Sequence, residues 1–255
     1  MRLVRSLAFQ IAFYGFLIFA MISAAPILPF RGITRRATVS CCRGIVRITR
    51  WFAGARLEVR GLENLPPGGV LIAAKHQSAY ETFALLTVFP DAVFVLKQEL
   101  TRIPLFGRFL VQIGMIPIDR SGGAAALIAM TKAVAAAAEA GHPVIIFPEG
   151  TRKQPGAAPD YKSGVAMLYR ATGLACVPVA VNSGLFWPRR GFWRYPGTIV
   201  FEVLPALPPQ MPKRDFLSVL ERSIETASDR LTAEAVAADP AKQALLAPPA
   251  DDDES

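Results

Sequence analysis

Histidine and cysteine are scarce in this chain of 255 residues, which contains two histidines and three cysteines. Two of the cysteines are adjacent and no C-x-x-C pair occurs, so neither a zinc site nor a disulfide framework is indicated. Three common motifs are also absent: the nucleophile elbow G-x-S-x-G, the phosphate-binding P-loop and the dinucleotide-binding G-x-G-x-x-G. The sequence therefore lacks the usual signatures of a placed serine nucleophile or a nucleotide loop, and its cysteines favour a reducing compartment.

Lysine and acidic residues are nearly absent from residues 1–60, which contain ten arginines, no lysine and one acidic residue, Glu58. The whole chain carries a net charge of +8, so the remainder is close to neutral. Because the positive charge is confined to the N-terminal segment, a basic nucleic-acid-binding domain is not indicated, and we expect no nucleic-acid partner. Hydrophobic residues make up 52% of the chain and the mean hydropathy is +0.34, values that point to a membrane.

A long apolar run occupies residues 7–25, in which Gln10 and Ser23 are the polar exceptions. As a helix it would extend about 28 Å, close to the thickness of about 30 Å of the hydrocarbon core of a bilayer. A cleaved signal peptide is the alternative, since two arginines precede the run and its last three residues read Ser-Ala-Ala. The arginine-rich segment that follows argues against it, because such segments translocate poorly. The sequence leaves open whether the helix spans the bilayer or lies within one leaflet.

Residues 33–54 combine arginines with apolar residues. Four arginines recur at intervals of seven, four and three residues, which places them on one helical face: Arg36, Arg43, Arg47 and Arg50. This pattern is typical of a helix lying on an anionic membrane surface. An amphipathic helix packed on the rest of the protein is the alternative. Arginines after the apolar run slightly outnumber the cations before it, so we expect an inner- or plasma-membrane location with the remaining chain on the cytoplasmic side.

From about residue 56, short segments rich in Val and Ile alternate with helical ones. Predicted strands are 69–74, 92–97, 114–119, 143–148, 175–181 and 198–204, and predicted helices are 79–89, 122–140, 162–173 and 213–235. This alternation predicts an α/β fold with a mostly parallel or mixed central sheet flanked by helices, preceded by the hydrophobic and the basic amphipathic helix. We expect membrane-associating helices in 1–55, an α/β domain in 56–235 and a disordered acidic tail in 236–255.

A polar segment that reads K-H-Q-S-A-Y-E follows the first predicted strand. His76 lies at the carboxyl end of that strand, where α/β proteins commonly bind ligands. Ser78 and Glu81 have the S-x-x-E spacing of a capping box, which gives the carboxylate a purely structural explanation. The same carboxylate would lean back toward His76 and fix its tautomer, leaving the other ring nitrogen as a base. The two interpretations are compatible, and this stretch alone does not decide between them.

Three cations stand at the ends of predicted strands. Arg152 ends the stretch I-I-F-P-E-G-T-R, Arg120 ends M-I-P-I-D-R, and Lys97 closes the strand at 92–97. A guanidinium suits bidentate recognition of a phosphate. If the three strands are neighbours in the sheet, these cations form an anion pocket. Any one of these cations alone would usually be a surface residue whose stem covers apolar surface.

Four blocks, taken in order, resemble a known family. They are His76-x4-Glu81, Gly114 to Arg120, Phe147 to Arg152, and Val177-Pro178-Val179. Together they resemble the signature of the 1-acyl-sn-glycerol-3-phosphate acyltransferases, the lysophosphatidic acid acyltransferase family, over about residues 56–204. The sequence departs at two positions: Glu81 stands where most members carry Asp, and Lys75 where Asn often precedes the histidine.

The resemblance implies transfer of an acyl group from acyl-CoA or acyl carrier protein to the 2-hydroxyl of membrane-resident 1-acyl-sn-glycerol-3-phosphate, giving phosphatidic acid. It implies that His76 is the general base, that Glu81 orients it, and that no metal or cofactor other than the acyl donor is needed. Residues implied for the acceptor site are Lys97, Arg120, Glu149, Gly150, Thr151 and Arg152. The alternatives are an acyltransferase for another lysolipid, such as lyso-ornithine lipid or a lysophospholipid, a non-catalytic lipid-binding module, and a thioester hydrolase.

Overall fold

The computed structural model describes residues 2–119 and 122–247. Its strands are β1 Ala55–Arg60, β2 Leu71–Ala74, β3 Val93–Lys97, β4 Ile116–Ile118, β5 Val144–Ile146, β6 Cys176–Val181 and β7 Gly197–Val203. Its α-helices are α1 Arg2–Ala24, α2 Arg31–Ile48, α3 Tyr80–Val88, α4 Phe106–Gln112, α5 Gly123–Glu139, α6 Ser163–Thr172 and α7 Lys213–Ala238.

The strands form one sheet in the order β1-β7-β6-β2-β5-β3-β4. Neighbouring strands are parallel except β6 and β7, which are antiparallel. Every residue of β2 and β6 is buried, as expected for central strands of a sheet that is covered on both faces. The predicted fold class, a mixed central sheet flanked by helices and preceded by an apolar and a basic helix, is confirmed.

The predicted strands all exist, each with ends within two residues of the prediction, but one strand and one helix were not predicted. Strand β1 reads A-R-L-E-V-R and pairs only with β7, at the edge of the sheet. Most of its residues are only partly buried, so they lack the apolar run by which a buried strand is recognised. Helix α4 has seven residues, too few to display a helical period.

The sheet order determines which loops lie together. Strands β2, β5, β3 and β4 are consecutive and parallel, so their carboxyl ends meet at one edge. His76 follows β2, Glu149 follows β5, Lys97 ends β3, and Asp119 follows β4. The strands that lead to the three predicted cations, β5, β3 and β4, are therefore neighbours in the sheet, as an anion pocket formed by those cations requires.

The two N-terminal helices share the hydrophobic core of the α/β unit. Phe9 and Phe13 of α1 are buried and contact the ring of Trp187 edge-on, with centroids 4.9 and 5.3 Å apart. On α2, the buried residues are Thr34, Val39, Cys42 and Ile45, while Arg36, Arg43, Arg47 and the following Arg50 are exposed. Helix α2 therefore packs on the protein by one face, as the second interpretation predicts, and its arginines are exposed on the other; contact of that basic face with a membrane stays a prediction.

Helix α1 is mostly uncovered. Residues 2–27 are long and apolar enough to cross a membrane by length and composition, and 11% of the apolar window is buried. Large apolar side chains on its outer surface include Leu3, Val4, Leu7, Ile11, Ile18, Phe19 and Ile22. An outer surface of this kind is suited to contact with lipid.

The C-terminal region differs from the prediction. Helix α7 continues to Ala238, and a 3-10 helix follows over Pro240–Leu245, where disorder was expected from residue 236. Lys242 explains the order: it is buried, it pairs with Asp239, and its ammonium lies 5.3 Å from the centre of the Phe186 ring. The rest of the predicted tail, residues 248–255, lies outside the described residues.

Candidate active site

His76 lies in the loop between β2 and α3, and the loop after β5 holds it on two sides. Its carbonyl oxygen accepts a hydrogen bond from the amide of Lys153 at 2.8 Å. Its ring stacks on that of Phe147, with centroids 3.9 Å apart and planes inclined by 15°. The side chain is 14% exposed, while its Nδ1 atom is buried. The ring is therefore fixed in orientation and keeps one edge accessible.

Glu81 approaches the buried edge of the ring. Its Oε2 atom lies 3.4 Å from His76 Nδ1, and the described residues offer that nitrogen no well-formed hydrogen bond. The same carboxylate accepts from the amide of Ser78 at 2.9 and 3.0 Å and from that of Gln77 at 3.2 Å. A capping interaction and a contact with the ring thus coexist on one carboxylate. The distance to Nδ1 is longer than a well-formed hydrogen bond, although catalytic hydrogen bonds are often long in structures without substrate.

The helix start differs in one detail from the predicted capping box. Helix α3 begins at Tyr80, one residue later than predicted, and Ser78 Oγ accepts from the amide of Tyr80 at 3.1 Å rather than from that of Glu81. The Glu81 half of the motif is present, because its carboxylate accepts from the Ser78 amide. The carboxylate is thus bound to the loop that carries His76.

Two contacts from beyond β6 complete this pocket and were not predicted. The hydroxyl of Ser183 donates to Glu81 Oε1, and the amide of Gly184 donates to Gln77 Oε1 at 3.1 Å. Strand β6 is parallel to β2 and adjacent to it, so its carboxyl end reaches the same edge. The polar pair Asn-Ser directly after an apolar strand was the available sequence signal, the same signal that identified His76.

Glu149 lies beneath the His76 loop rather than in an open acceptor site. Its Oε1 atom accepts from Lys75 Nζ at 2.9 Å, and its Oε2 lies 3.4 Å from the His76 amide nitrogen. The side chains of Lys75 and Glu149 are 3% and 0% exposed. Burial raises the pKa of the Glu149 carboxyl, and Lys75 opposes that rise only in part. This placement differs from the predicted contact with substrate, because both carboxylate oxygens already face the protein.

Lys75 also binds the C-terminal helix. Its Nζ atom lies 2.7 and 2.8 Å from the two carboxylate oxygens of Glu225 on α7. The hydroxyl of Tyr161 donates to Glu225 at 2.7 Å, and burial together with Glu225 raises the pKa of this tyrosine, which keeps it a donor. Lys75, one of the two positions at which the sequence departs from the signature it resembles, is therefore the centre of an ionic cluster.

The other predicted acceptor-site residues that the structure describes, Lys97, Gly150, Thr151 and Arg152, lie on the more open side of the same edge. Lys97 and Thr151 are exposed, and Arg152 is half-buried, with Nη1 3.4 Å from the carbonyl oxygen of Arg189. Gly150 has φ +66°, a conformation that favours glycine, and closes a turn by donating to the carbonyl of Phe147. Arg120 lies outside the described residues. Within the described ranges, no three His, Cys, Asp or Glu side chains are grouped as a metal site requires.

Comparison with known proteins identifies the family of the chain. A family model described as Acyltransferase matches residues 56–182. A Pseudomonas aeruginosa protein named 1-acyl-sn-glycerol-3-phosphate acyltransferase is 43% identical over 183 residues, which cover 72% of this chain and 71% of that protein. The chain belongs to the acyltransferase family. A mouse member named 1-acyl-sn-glycerol-3-phosphate acyltransferase alpha is 27% identical over 221 residues, covering 85% of this chain and 77% of its own length.

The fold of this acyltransferase is also found in a crystal structure. The lysophosphatidic acid acyltransferase PlsC from Thermotoga maritima superposes with a TM-score of 0.72 at 21% identity, covering 91% of this chain and 98% of that chain. At that identity the likeness concerns the fold. The family match ends at residue 182, so Ser183 and Glu225, which bind Glu81 and Lys75, lie beyond it.

Proposed function

We propose that this acyltransferase moves an acyl group from acyl-CoA or acyl carrier protein to the 2-hydroxyl of 1-acyl-sn-glycerol-3-phosphate, producing phosphatidic acid. The observation that carries the proposal is the His76–Glu81 pair, in which Nδ1 and Oε2 are 3.4 Å apart. The pair lies at the edge of the sheet where the strands that lead to Lys97 and Arg152 also end. The Pseudomonas aeruginosa and mouse relatives, 43% and 27% identical, are named 1-acyl-sn-glycerol-3-phosphate acyltransferases, which supports the proposal.

The chemistry follows from the orientation of the ring. Nδ1 is buried beside Glu81, so Nε2 is the nitrogen available to a substrate hydroxyl. Nε2 takes the proton of the 2-hydroxyl while the hydroxyl oxygen attacks the thioester carbonyl. The carbon–sulfur bond then breaks, and the imidazolium returns its proton to the departing thiolate. Glu81 stabilises the imidazolium between these steps, and positioning by the enzyme supplies much of the remaining rate.

The acceptor phosphate would bind on the open side of the strand edge. Arg152 and Lys97 are the described cations there, and Arg120 is the third by sequence. We place the protein at the membrane through α1 and the basic face of α2, with the catalytic edge on the cytoplasmic side. A lysolipid held by its phosphate would then keep its acyl chain in the bilayer and bring its free hydroxyl to His76.

The direct test compares the two histidines. His76→Ala should lower turnover by about 10²- to 10⁴-fold, the usual contribution of a general base. His142→Ala is the matched control, because His142 Nδ1 only contacts the carbonyl of Asp91, at 2.9 Å. Product formation by the membrane-inserted enzyme is measured by mass spectrometry with both donor types and a panel of lysolipids. Retention of near wild-type turnover by His76→Ala would refute the mechanism, and preference for lyso-ornithine lipid would reassign the acceptor.

A second experiment tests the phosphate contact. Arg152→Gln should raise KM for 1-acyl-sn-glycerol-3-phosphate by about 10- to 100-fold, as expected for loss of a charge-assisted hydrogen bond. Its effect on a phosphate-free 1-acylglycerol should be much smaller. Arg170→Gln, on the exposed surface of α6, is the control. Equal losses with both acceptors would show that Arg152 does not bind the phosphate.

A further inference from the structure

The segment of residues 188–194, here called the aromatic loop, has exposed aromatic and basic side chains for which the proposed reaction gives no role. It follows the turn after β6 and reads P-R-R-G-F-W-R. Phe192 and Trp193 are 36% and 42% exposed, and Arg189 and Arg190 are exposed beside them. Adjacent exposed aromatic residues mark interaction surfaces, and tryptophan with arginine is typical of segments at the lipid–water boundary.

A buried arginine holds the aromatic loop in this conformation. The Arg194 guanidinium donates to the carbonyl oxygens of Gly191, Phe192 and Trp193 at 3.2, 3.4 and 2.9 Å. It also lies 4.7 Å from the ring centre of Trp187 and 5.2 Å from that of Phe9. Burial lowers the pKa of Arg194 to about 10, so placing a guanidinium here is unfavourable unless these contacts are made. The hydrogen bonds from Arg194 therefore fix the backbone of the aromatic loop in the conformation that exposes Phe192 and Trp193.

The aromatic loop is continuous with the uncovered surface of α1. The amide of Arg194 donates to Ser6 Oγ at 3.1 Å, and Gln10 Nε2 donates to the carbonyl of Phe192 at 3.3 Å. Exposed apolar side chains of α1 occur in the same stretch of helix, at Leu7 and Ile11. The exposed aromatic pair thus stands beside the helix that meets the length and composition of a membrane segment.

We propose that the aromatic loop is a second membrane anchor, in which Phe192 and Trp193 insert at the boundary between head groups and acyl chains while Arg189 and Arg190 bind lipid phosphates. A bilayer fits this surface better than a protein partner does, because the apolar side chains adjoin α1 and the flanking charges are both positive. The inference rests on the membrane location given under the proposed function.

The anchor would also reach the substrate site. Arg152 Nη1 lies 3.4 Å from the carbonyl oxygen of Arg189, so the backbone of the aromatic loop contacts the residue assigned to the acceptor phosphate. Insertion of the loop would place the mouth of the site at the depth of lipid phosphates. An acceptor could then reach Arg152 without leaving the bilayer.

The first experiment measures the depth of Trp193 without requiring turnover. The full chain is placed in nanodiscs of phosphatidylcholine and phosphatidylglycerol with brominated acyl chains, which quench nearby tryptophans. Trp51 is exposed, so Trp51→Phe is the background variant, and buried Trp187 remains in both proteins compared. Adding Trp193→Phe should remove most of the bromine-sensitive emission. The anchor would be overturned if adding Trp193→Phe left the bromine-sensitive emission unchanged. It would also be overturned if water-soluble acrylamide quenched the emission of Trp193 freely.

The second experiment separates anchoring from catalysis. The variant Phe192→Ser/Trp193→Ser should turn over acceptor embedded in vesicles more slowly, yet match wild type with acceptor dispersed in detergent micelles. Ile128→Ser, at an exposed apolar position on α5, should change neither rate. Equal losses in vesicles and micelles would overturn the anchor, as would loss of a dimer in the serine variant, which would assign the surface to a second copy. Failure of the reaction itself would leave the quenching result intact, so the two proposals fail separately.

Discussion

Two buried carboxylates flank His76, and their partners differ in kind. On the α3 side, Glu81 accepts hydrogen bonds from the Gln77 and Ser78 amides and the hydroxyl of Ser183, all of which are uncharged. On the β5 side, Glu149 accepts from the ammonium of Lys75. The hydrogen-bond donors to Glu81 are therefore all uncharged, whereas Glu149 pairs with a cation that it shares with Glu225.

The different partners of Glu81 and Glu149 suit the two carboxylates to different roles, one at the His76 ring and the other at the His76 backbone. Glu81 lies 3.4 Å from His76 Nδ1 with no cation among its hydrogen-bond donors, so in the proposed mechanism it can orient the ring and stabilise an imidazolium formed during the reaction. Glu149 faces the protein with both oxygens: one accepts from Lys75 and the other adjoins the His76 amide, so this carboxylate holds the loop in place. Substitutions at Glu81 should therefore act on kcat, and those around Glu149 on stability.

The largest expected effect comes from removing the charge of Glu81. Glu81→Gln keeps the size of the side chain and should lower kcat by about 10²- to 10⁴-fold, with a small change in KM for the acceptor, because binding does not use this charge. Glu81→Asp is the matched control and should recover part of the rate, since it keeps the carboxylate. Steady-state kinetics in detergent micelles measures both. A Gln variant as fast as the Asp variant would show that the charge has no catalytic role.

The next-largest effect is expected on stability, from substitution of Lys75, the cation that pairs with Glu149. Lys75→Met leaves Glu149 buried without its cation and should lower the free energy of unfolding by about 3–5 kcal/mol. The double variant Lys75→Met/Glu149→Gln should regain part of this loss, because the fully buried carboxylate is then replaced by an uncharged amide, while Glu225, which also loses Lys75, is partly exposed. Denaturant titration followed by tryptophan fluorescence, in one fixed detergent, measures the free energies of unfolding that enter this double-mutant cycle. Additive losses in the double variant would contradict the assignment of Lys75 and Glu149 as an ion pair.

A smaller effect is expected at the hydroxyl that binds Glu81. Ser183→Ala removes one neutral donor and leaves the amide donors of Gln77 and Ser78, so the stability loss should be about 1–3 kcal/mol. Because the carboxylate is then less restrained, kcat should also fall, by less than in Glu81→Gln. Ser163→Ala, at the exposed start of α6, is the control for the substitution itself. The same two measurements apply, and a fall in stability without a fall in kcat would separate Ser183 from catalysis.

The features of the fold and the site that depend on residues close together in the chain could be predicted from the sequence. Apolar runs located six strands, and the polar residues that follow them located His76 and Arg152. The short S-x-x-E spacing brought Glu81 to His76. Ser183 and Glu225 were missed because they meet their partners across 102 and 150 residues. A helical or strand period indicates which face of an element is buried, but it carries no information about which distant side chain that face meets.

The smallest effect tests how far the ionic cluster extends. Glu225 is 19% exposed, and Lys75 keeps Glu149 when Glu225 is neutralised. Glu225→Gln still offers an oxygen to Lys75 or Tyr161, so we expect a loss of only about 1 kcal/mol, within the usual worth of a partly solvated ion pair. A loss as large as that of Lys75→Met would mean that α7 governs the charge balance beneath His76, and the cluster would then have to be treated as one unit rather than as a pair with an outer partner.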